Sequence, residues 1–170
     1  MGLWTVAITV VHTGLSVVAL LLGISTVIRW SLQKRTGSRE ARFLGAAAAA
    51  TITGFLFPPH GVTPAILIGI ISSAVLALTF LARSKAGRFQ RGWSVLFVVG
   101  VIVSEYLLSF VTVAQAFGKV PFLHELAPTL KEPPFAVTQG ILLVLFVTLA
   151  ALAIRTALEQ RIPAGVNRSM

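Results

Sequence analysis

The chain has 170 residues, of which 56% are hydrophobic and only 11% are charged, and its mean hydropathy is +0.90. A soluble domain of this size needs a more charged surface to stay dissolved, so this composition favours an integral membrane protein. The net charge of +9 does not imply nucleic-acid binding here, because the basic residues lie at the ends of apolar segments. The chain contains no cysteine, which excludes disulfides, thiolate metal sites and thiol redox chemistry.

Five apolar segments of near membrane-spanning length follow one another along the chain. We predict spans at residues 3–29, 42–57, 63–81, 92–117 and 135–154, with one longer outer segment at 118–134. The second span is short and rich in alanine. Neither an internal repeat nor a linker divides the chain. The sequence therefore predicts an all-α fold in one domain, residues 1–170, an integral membrane bundle of five transmembrane helices.

The basic residues are distributed asymmetrically between the two ends of this predicted bundle. The first loop, the third loop and the C-terminal tail contain twelve of the fourteen Lys and Arg residues, which leaves Lys119 and Lys131 for the other side. The positive-inside rule then predicts an outer N-terminus and a cytoplasmic C-terminus, in a bacterial cytoplasmic membrane. Because the charges follow the first apolar segment, we expect a retained helix there and no cleaved signal peptide.

The first span has polar side chains at helical spacing along its outer half. These residues are Thr5, Thr9, His12 and Ser16. The outer halves of the second and fifth spans are also polar, with Thr51 and Thr53 in one and Thr138 and Gln139 in the other. Several segments therefore place polar groups in the same leaflet.

Small residues occur at four-residue spacing in the third span, at Gly69, Ser73 and Ala77, and the second span has a run of alanines between Gly45 and Gly54. In lipid, such faces let helices approach closely. We expect them to pack within one bundle, with a homo-oligomer contact as the alternative.

The fourth span contains a glutamate within its apolar run. Glu105, Ser109, Thr112 and Gln115 share one helical face. A carboxylate at mid-membrane costs about 2.5–3.5 kcal/mol on insertion scales, so it must face the bundle interior, a partner or water. The polar stripes together predict a cavity that opens outward and closes near Glu105.

Residue counting suggests how this predicted cavity is connected. At about 1.5 Å per residue, Ser16 lies at a depth similar to Glu105 and His12 lies closer to the outside. We expect a short chain from Glu105 through Ser16 or water to His12. Both residues have a structural alternative: Glu105 as a protonated acid bonded to a neighbouring helix, and His12 as a packing histidine.

The outer segment "GKVPFLHELAPTLKEPP" has the composition of an ordered element. Pro121 suits the first turn of a short helix. The segment is either an interfacial anchor or a lid over the cavity. A metal site from His60, His124 and Glu125 lacks the usual ligand spacing, and transmembrane haem lacks a second histidine inside a span. We therefore predict neither a metal site nor a cofactor.

The order "GRFQRGW…AQAFGKVPFLHELAPTLKEPPF" resembles small bacterial multi-pass membrane proteins of uncharacterised function. Span count and length are also similar to the translocator-protein family, whose members bind porphyrins and sterols. The tryptophan-rich signatures of that family are absent here, so its binding residues have no counterparts in this chain. The use of an intramembrane acid and a histidine is similar to the sterol-isomerase-related membrane proteins.

We expect a protein that binds a small apolar or amphipathic ligand with Glu105 as its polar anchor. The predicted lining is Thr9, His12, Ser16, Glu105, Ser109, Thr112, Gln115 and Gln139. One alternative is an enzyme in which Glu105 and His12 transfer protons on a lipid-soluble substrate. Others are an accessory subunit or assembly factor of a larger membrane complex and, less favoured, a proton-coupled transporter.

Overall fold

The computed structural model describes residues 2–32, 37–57, 64–86 and 91–159. These residues form helices and turns without any strand, which confirms the all-α prediction. The helices are α1 (Leu3–Ser31), α2 (Gly37–Gly54), α3 (Pro64–Lys85), α4 (Arg91–Lys119), α5 (Pro121–Leu126) and α6 (Pro133–Glu159). Helices α1, α3, α4 and α6 are long and apolar enough to cross a membrane, so the chain has the character of a multi-pass helical membrane protein.

Helix α2 differs from the other long helices. The sequence predicts a span at 42–57, whereas α2 begins at Gly37 and ends at Gly54. Its first turns therefore contain Arg39, Glu40 and Arg42, and it is not among the described helices that are apolar enough to span on their own. At about 1.5 Å per residue its 18 residues extend roughly 27 Å, so length is not what distinguishes it.

The long helices alternate in direction around α4, which packs against every other helix. Side-chain contacts show the antiparallel pairing: Arg83 with Phe97 between α3 and α4, and Phe117 with Phe135 between α4 and α6. One end of the bundle therefore has the basic residues Arg29, Arg83, Lys85 and Arg155, and we call it the basic end. Lys119 and Lys131 lie at the opposite end.

Small side chains allow α1 and α2 to pack closely. Ala19 and Gly23 of α1 are buried, as are Ala47 and Ala50 of α2. The predicted packing role of the alanine run is therefore confirmed for its inward face. On α3, Gly69 faces the ring of Phe55, where an added Cβ would lie 3.0 Å from Cζ. Ser73 and Ala77 of α3 are exposed.

The segment between α4 and α6 is ordered by local contacts. Pro121 occupies the first turn of α5, which confirms the predicted short helix. The turn that follows contains Leu130, whose φ of 59° lies in the left-handed region. The Glu132 carboxylate accepts hydrogen bonds from the Thr129 hydroxyl at 2.8 Å and from the Lys131 N–H at 3.0 Å. The second of these bonds satisfies a backbone donor just before α6 begins.

Candidate functional site

Glu105 is enclosed by helix packing. It lies at the midpoint of α4, and 0% of its surface is exposed. Its carboxyl group lies against Gly23 of α1, where an added Cβ would overlap the carboxyl atoms and lie 2.7 Å from Cε2 of Phe43. With Glu105 in this position, a side chain at residue 23 would overlap the carboxyl group, so the close approach of α1 to the acid depends on glycine. The carboxyl group therefore lies where α1, α2 and α4 meet.

The hydrogen bonding of this carboxyl group is incomplete. The Ser109 hydroxyl donates to Oε1 at 3.5 Å, which is at the outer limit for a hydrogen bond. Oε2 is buried and has no hydrogen-bond partner among the described residues. A buried polar atom without a partner costs about 1–3 kcal/mol, and such atoms are rare in native proteins. Packing alone therefore does not explain why this buried position is a glutamate.

The polar stripe of α4 divides into two halves. Glu105 and Ser109 are buried, Ser109 with 7% of its surface exposed. Thr112 and Gln115 are exposed, and the Thr112 hydroxyl donates to the carbonyl of Leu108 within its own helix. In this conformation the stripe therefore leads from the end opposite the basic end to an enclosed acid, and it does not line one continuous open cavity.

His12 has the environment of a packing histidine. Its Nδ1 lies 3.0 Å from the Ala50 carbonyl oxygen and 3.1 Å from the Thr53 hydroxyl. The Phe57 ring meets it edge to face at 5.4 Å between centroids. The Ala50 carbonyl can only accept, so that bond requires the Nδ1–H tautomer. His12 therefore connects α1 to α2, and the residues it contacts do not include Glu105.

The predicted short chain from Glu105 through Ser16 or water to His12 does not match the positions of these residues along α1. The Glu105 carboxyl group is level with Gly23, which follows His12 by eleven residues, or roughly 16 Å along α1. Ser16 is half-buried two turns from Gly23, with buried Ala19 between them. Residue counting placed the first residue of α1 and the last residue of α4 at the same height. Instead, Gly23 is 20 residues into α1, while Glu105 is 14 residues from the end of α4.

The other predicted lining residues lie elsewhere. The Thr9 hydroxyl donates to the Thr5 carbonyl at 2.7 Å, as an ordinary intrahelical bond. Gln139 is buried between α6 and α4, and its Nε2 donates to the Phe110 carbonyl at 3.1 Å. Phe110 follows Glu105 by five residues and so points about 140° away around α4. Gln139, whose Oε1 is buried and unpartnered, therefore belongs to a different interface.

The metal hypothesis remains untested because His60 lies outside the described residues. His124 and Glu125 are exposed on α5. Within the described ranges, no cluster of three or more His, Asp or Glu residues has a metal-binding arrangement.

Gly23 and Phe43 were not predicted as site residues. The Glu105 carboxyl group lies against Gly23, and the Phe43 ring of α2 lies against the same point of α1. A signal was present for Gly23. Ala19 and Gly23 are four residues apart, the small-xxx-small spacing of closely packed membrane helices. Phe43 had no comparable signal, because an aromatic residue in an apolar helix is expected whether or not it contacts a polar group.

Comparisons of this chain with protein-family models, with curated proteins and with solved structures found no match.

Proposed function

We propose that this membrane protein binds a small apolar or amphipathic ligand, and that the Glu105 carboxyl group is its polar anchor. The observation that supports this most is the buried, unpartnered Oε2 beside Gly23. A ligand with a hydroxyl or amine donor would complete the missing hydrogen bond while its apolar part contacts the helices.

The route to the anchor is proposed to follow the outer half of α4. Ser109 lies one turn beyond Glu105, and Thr112 and Gln115 continue toward the end opposite the basic end. Because Glu105 is enclosed, binding requires its side chain to turn or α1 to move away from α4.

We infer that α2 is a fifth span, covered by its neighbours, because His12 and Trp30 of α1 contact residues near its two ends. Burial of Glu40 against Trp30 removes one polar group of α2 from contact with lipid. The basic end would then face the cytoplasm of a bacterial cell, with an outer N-terminus.

The deciding experiment is mass spectrometry of small molecules that co-purify with the protein in nanodiscs. Glu105→Met keeps a similar side-chain volume and removes both acceptor oxygens, whereas glutamine would retain one. We expect the recurring molecule to be depleted at least about tenfold in this variant, since one hydrogen bond to a charged or buried partner contributes about 1.5–3 kcal/mol. Glu125→Met, which changes an exposed acid on α5, is the matched control.

Equal recovery of the molecule from Glu105→Met and from the wild-type chain would reject the anchor. Recovery of no small molecule from either protein would reject the binding function itself. Circular dichroism and size exclusion establish that both variants remain folded.

A second candidate, an accessory subunit of a membrane complex, is favoured by α3. Its small residues Ser73 and Ala77 are exposed together, although small residues in membrane helices usually mark a contact with another helix. This candidate predicts a stable polypeptide partner in a mild-detergent pull-down. Replacement of Ala77 by Leu would remove that partner without affecting ligand recovery.

The enzyme hypothesis requires Glu105 and His12 to lie close enough to transfer protons on one substrate. His12 and the Glu105 carboxyl group are separated by roughly 16 Å along α1, well beyond direct proton transfer.

A further inference from the structure

A lipid-facing groove lies between α3 and α4, toward the basic end. Its volume is about 160 Å³, and its walls include Val75 and Leu78 of α3 with Val99 and Val103 of α4. The floor is formed where Thr79 meets Gly100, at a point where an added Cβ would overlap the Thr79 hydroxyl. That hydroxyl donates to the Val75 carbonyl at 2.6 Å, so the groove presents an apolar surface throughout.

Two cations are held at the end of this groove. Arg83 follows Thr79 by one helical turn on the same face of α3, and its guanidinium carbon lies 5.9 Å from the Phe97 ring centroid. The Lys85 amine lies 4.6 Å from the Trp93 ring centroid. Trp93 and Phe97 are themselves one turn apart on α4. Cation–π contacts with these rings fix both charges at one corner of the bundle.

Among the residues that the structure describes, no carboxylate pairs with these two cations. Nη1 of Arg83 is buried and has no hydrogen-bond partner among the described residues. The sequence contains no acidic residue between Glu40 and Glu105, so neither helix of this pair supplies a carboxylate near its basic end. A guanidinium donor with no acceptor favours an oxyanion, and phosphate is the group that arginine recognises best.

We infer that this corner binds an anionic phospholipid of the surrounding bilayer. One acyl chain lies in the groove between α3 and α4, and the phosphate accepts hydrogen bonds from Arg83 and Lys85. The negative charge of the phosphate is complementary to the two cations. The groove gives the acyl chain an apolar surface at the depth of the adjoining leaflet. This site is independent of Glu105 and of the proposed ligand.

The fluorescence of Trp93 reports on lipid bound at this site. In proteoliposomes, lipids with brominated acyl chains quench a nearby indole, and brominated phosphatidylglycerol can be compared with brominated phosphatidylcholine at equal mole fraction. Trp4→Phe removes an indole that is 65% exposed at the other end of α1. The difference between this protein and one that also has Trp93→Phe isolates the Trp93 signal.

We expect Trp93 to prefer the anionic lipid several-fold. Each basic residue near a membrane surface favours anionic lipid by about fivefold, so Arg83→Gln and Lys85→Gln should each remove a factor of that order. Lys131→Gln, at the opposite end of the bundle, is the matched control and should leave the preference unchanged. The preference should also fall with added salt.

The groove itself is tested by Leu78→Phe, which narrows it at a residue that is 54% exposed and therefore tolerant of substitution. This variant should weaken quenching while both cations remain. Equal quenching by the two lipids, or full retention of the preference in Arg83→Gln, would overturn the inference. Complete loss of the lipid preference on addition of millimolar inorganic phosphate would also overturn the inference, because the corner would then bind a phosphate group without the acyl chain.

Discussion

Glu40 and Glu105 are both buried glutamates, with 8% and 0% of their surfaces exposed, but their surroundings differ. Glu40 accepts a hydrogen bond of 2.8 Å from the Trp30 indole and lies in the first turn of α2, where the helix dipole stabilises a negative charge. Glu105 lies in the middle of α4, beyond the reach of either helix end, with one long hydrogen bond and one unpartnered oxygen.

This contrast separates a structural acid from a candidate functional one. Glu40 joins α1 to α2 next to the first loop, and its contacts explain its presence. Glu105 has a cost that its contacts do not offset, which is typical of groups retained for binding or chemistry. Substitutions at the two glutamates and at Gly23 distinguish these two roles.

Gly23→Ala is expected to lower the free energy of unfolding by about 2–3 kcal/mol, because its Cβ overlaps the enclosed Glu105 carboxyl group and crowds Phe43. Reversible unfolding in mixed micelles measures the change. Gly14→Ala is the matched control on the same helix, since nothing lies within 4 Å of its added Cβ. If the carboxyl group is the obstacle, Gly23→Ala should cost less in a Glu105→Ala background. Additive effects would contradict the contact.

Glu40→Met is expected to lower the free energy of unfolding by about 2 kcal/mol, because the Trp30 indole loses this acceptor and the α2 N-terminus loses a favourable charge. The same micelle titration measures the loss. Glu40→Gln retains an acceptor oxygen and should cost less. No loss in Glu40→Met would mean that the Trp30 contact contributes little to stability.

Glu105→Met should have the opposite sign and raise the free energy of unfolding by about 1 kcal/mol. The side chain keeps a similar volume, and the orphaned Oε2 is removed. Glu125→Met, at an exposed site, should change stability very little. A loss comparable to that of Glu40→Met would show that Glu105 is a structural acid as well, and it would weaken the proposed function.

The smallest effect concerns Glu132, an acid outside the spans whose donors are all local. Desolvation raises the pKa of Glu132, but hydrogen bonds from the Thr129 hydroxyl and from nearby backbone N–H groups outweigh it and hold the pKa below the ordinary value of 4.5. Because the pKa is lowered in the folded state, the ionised Glu132 carboxylate stabilises the turn at pH values above 4.5. The stabilisation disappears as the pH falls through the pKa of the folded state.

An NMR titration of the Thr129 amide resonance should follow this loss, and Glu132→Gln should abolish it. A midpoint at or above 4.5 would contradict the local network.

The sequence alone determined the class of this protein and several local features. Its hydropathy predicted a helical membrane protein, Pro121 predicted α5, and the position of Glu105 within an apolar run marked it as costly. These features depend on composition and on short-range geometry, which a single chain segment contains in full.

Only the tertiary structure decided which groups meet. Helical periodicity places Glu105 and Ser109 on one face, but it does not give the axial offset between α1 and α4. That offset brings Gly23 to the carboxyl group and leaves His12 with Ala50 of α2. Offset and rotation depend on how the small side chains of several helices fit together, and this fit is a property of the whole bundle.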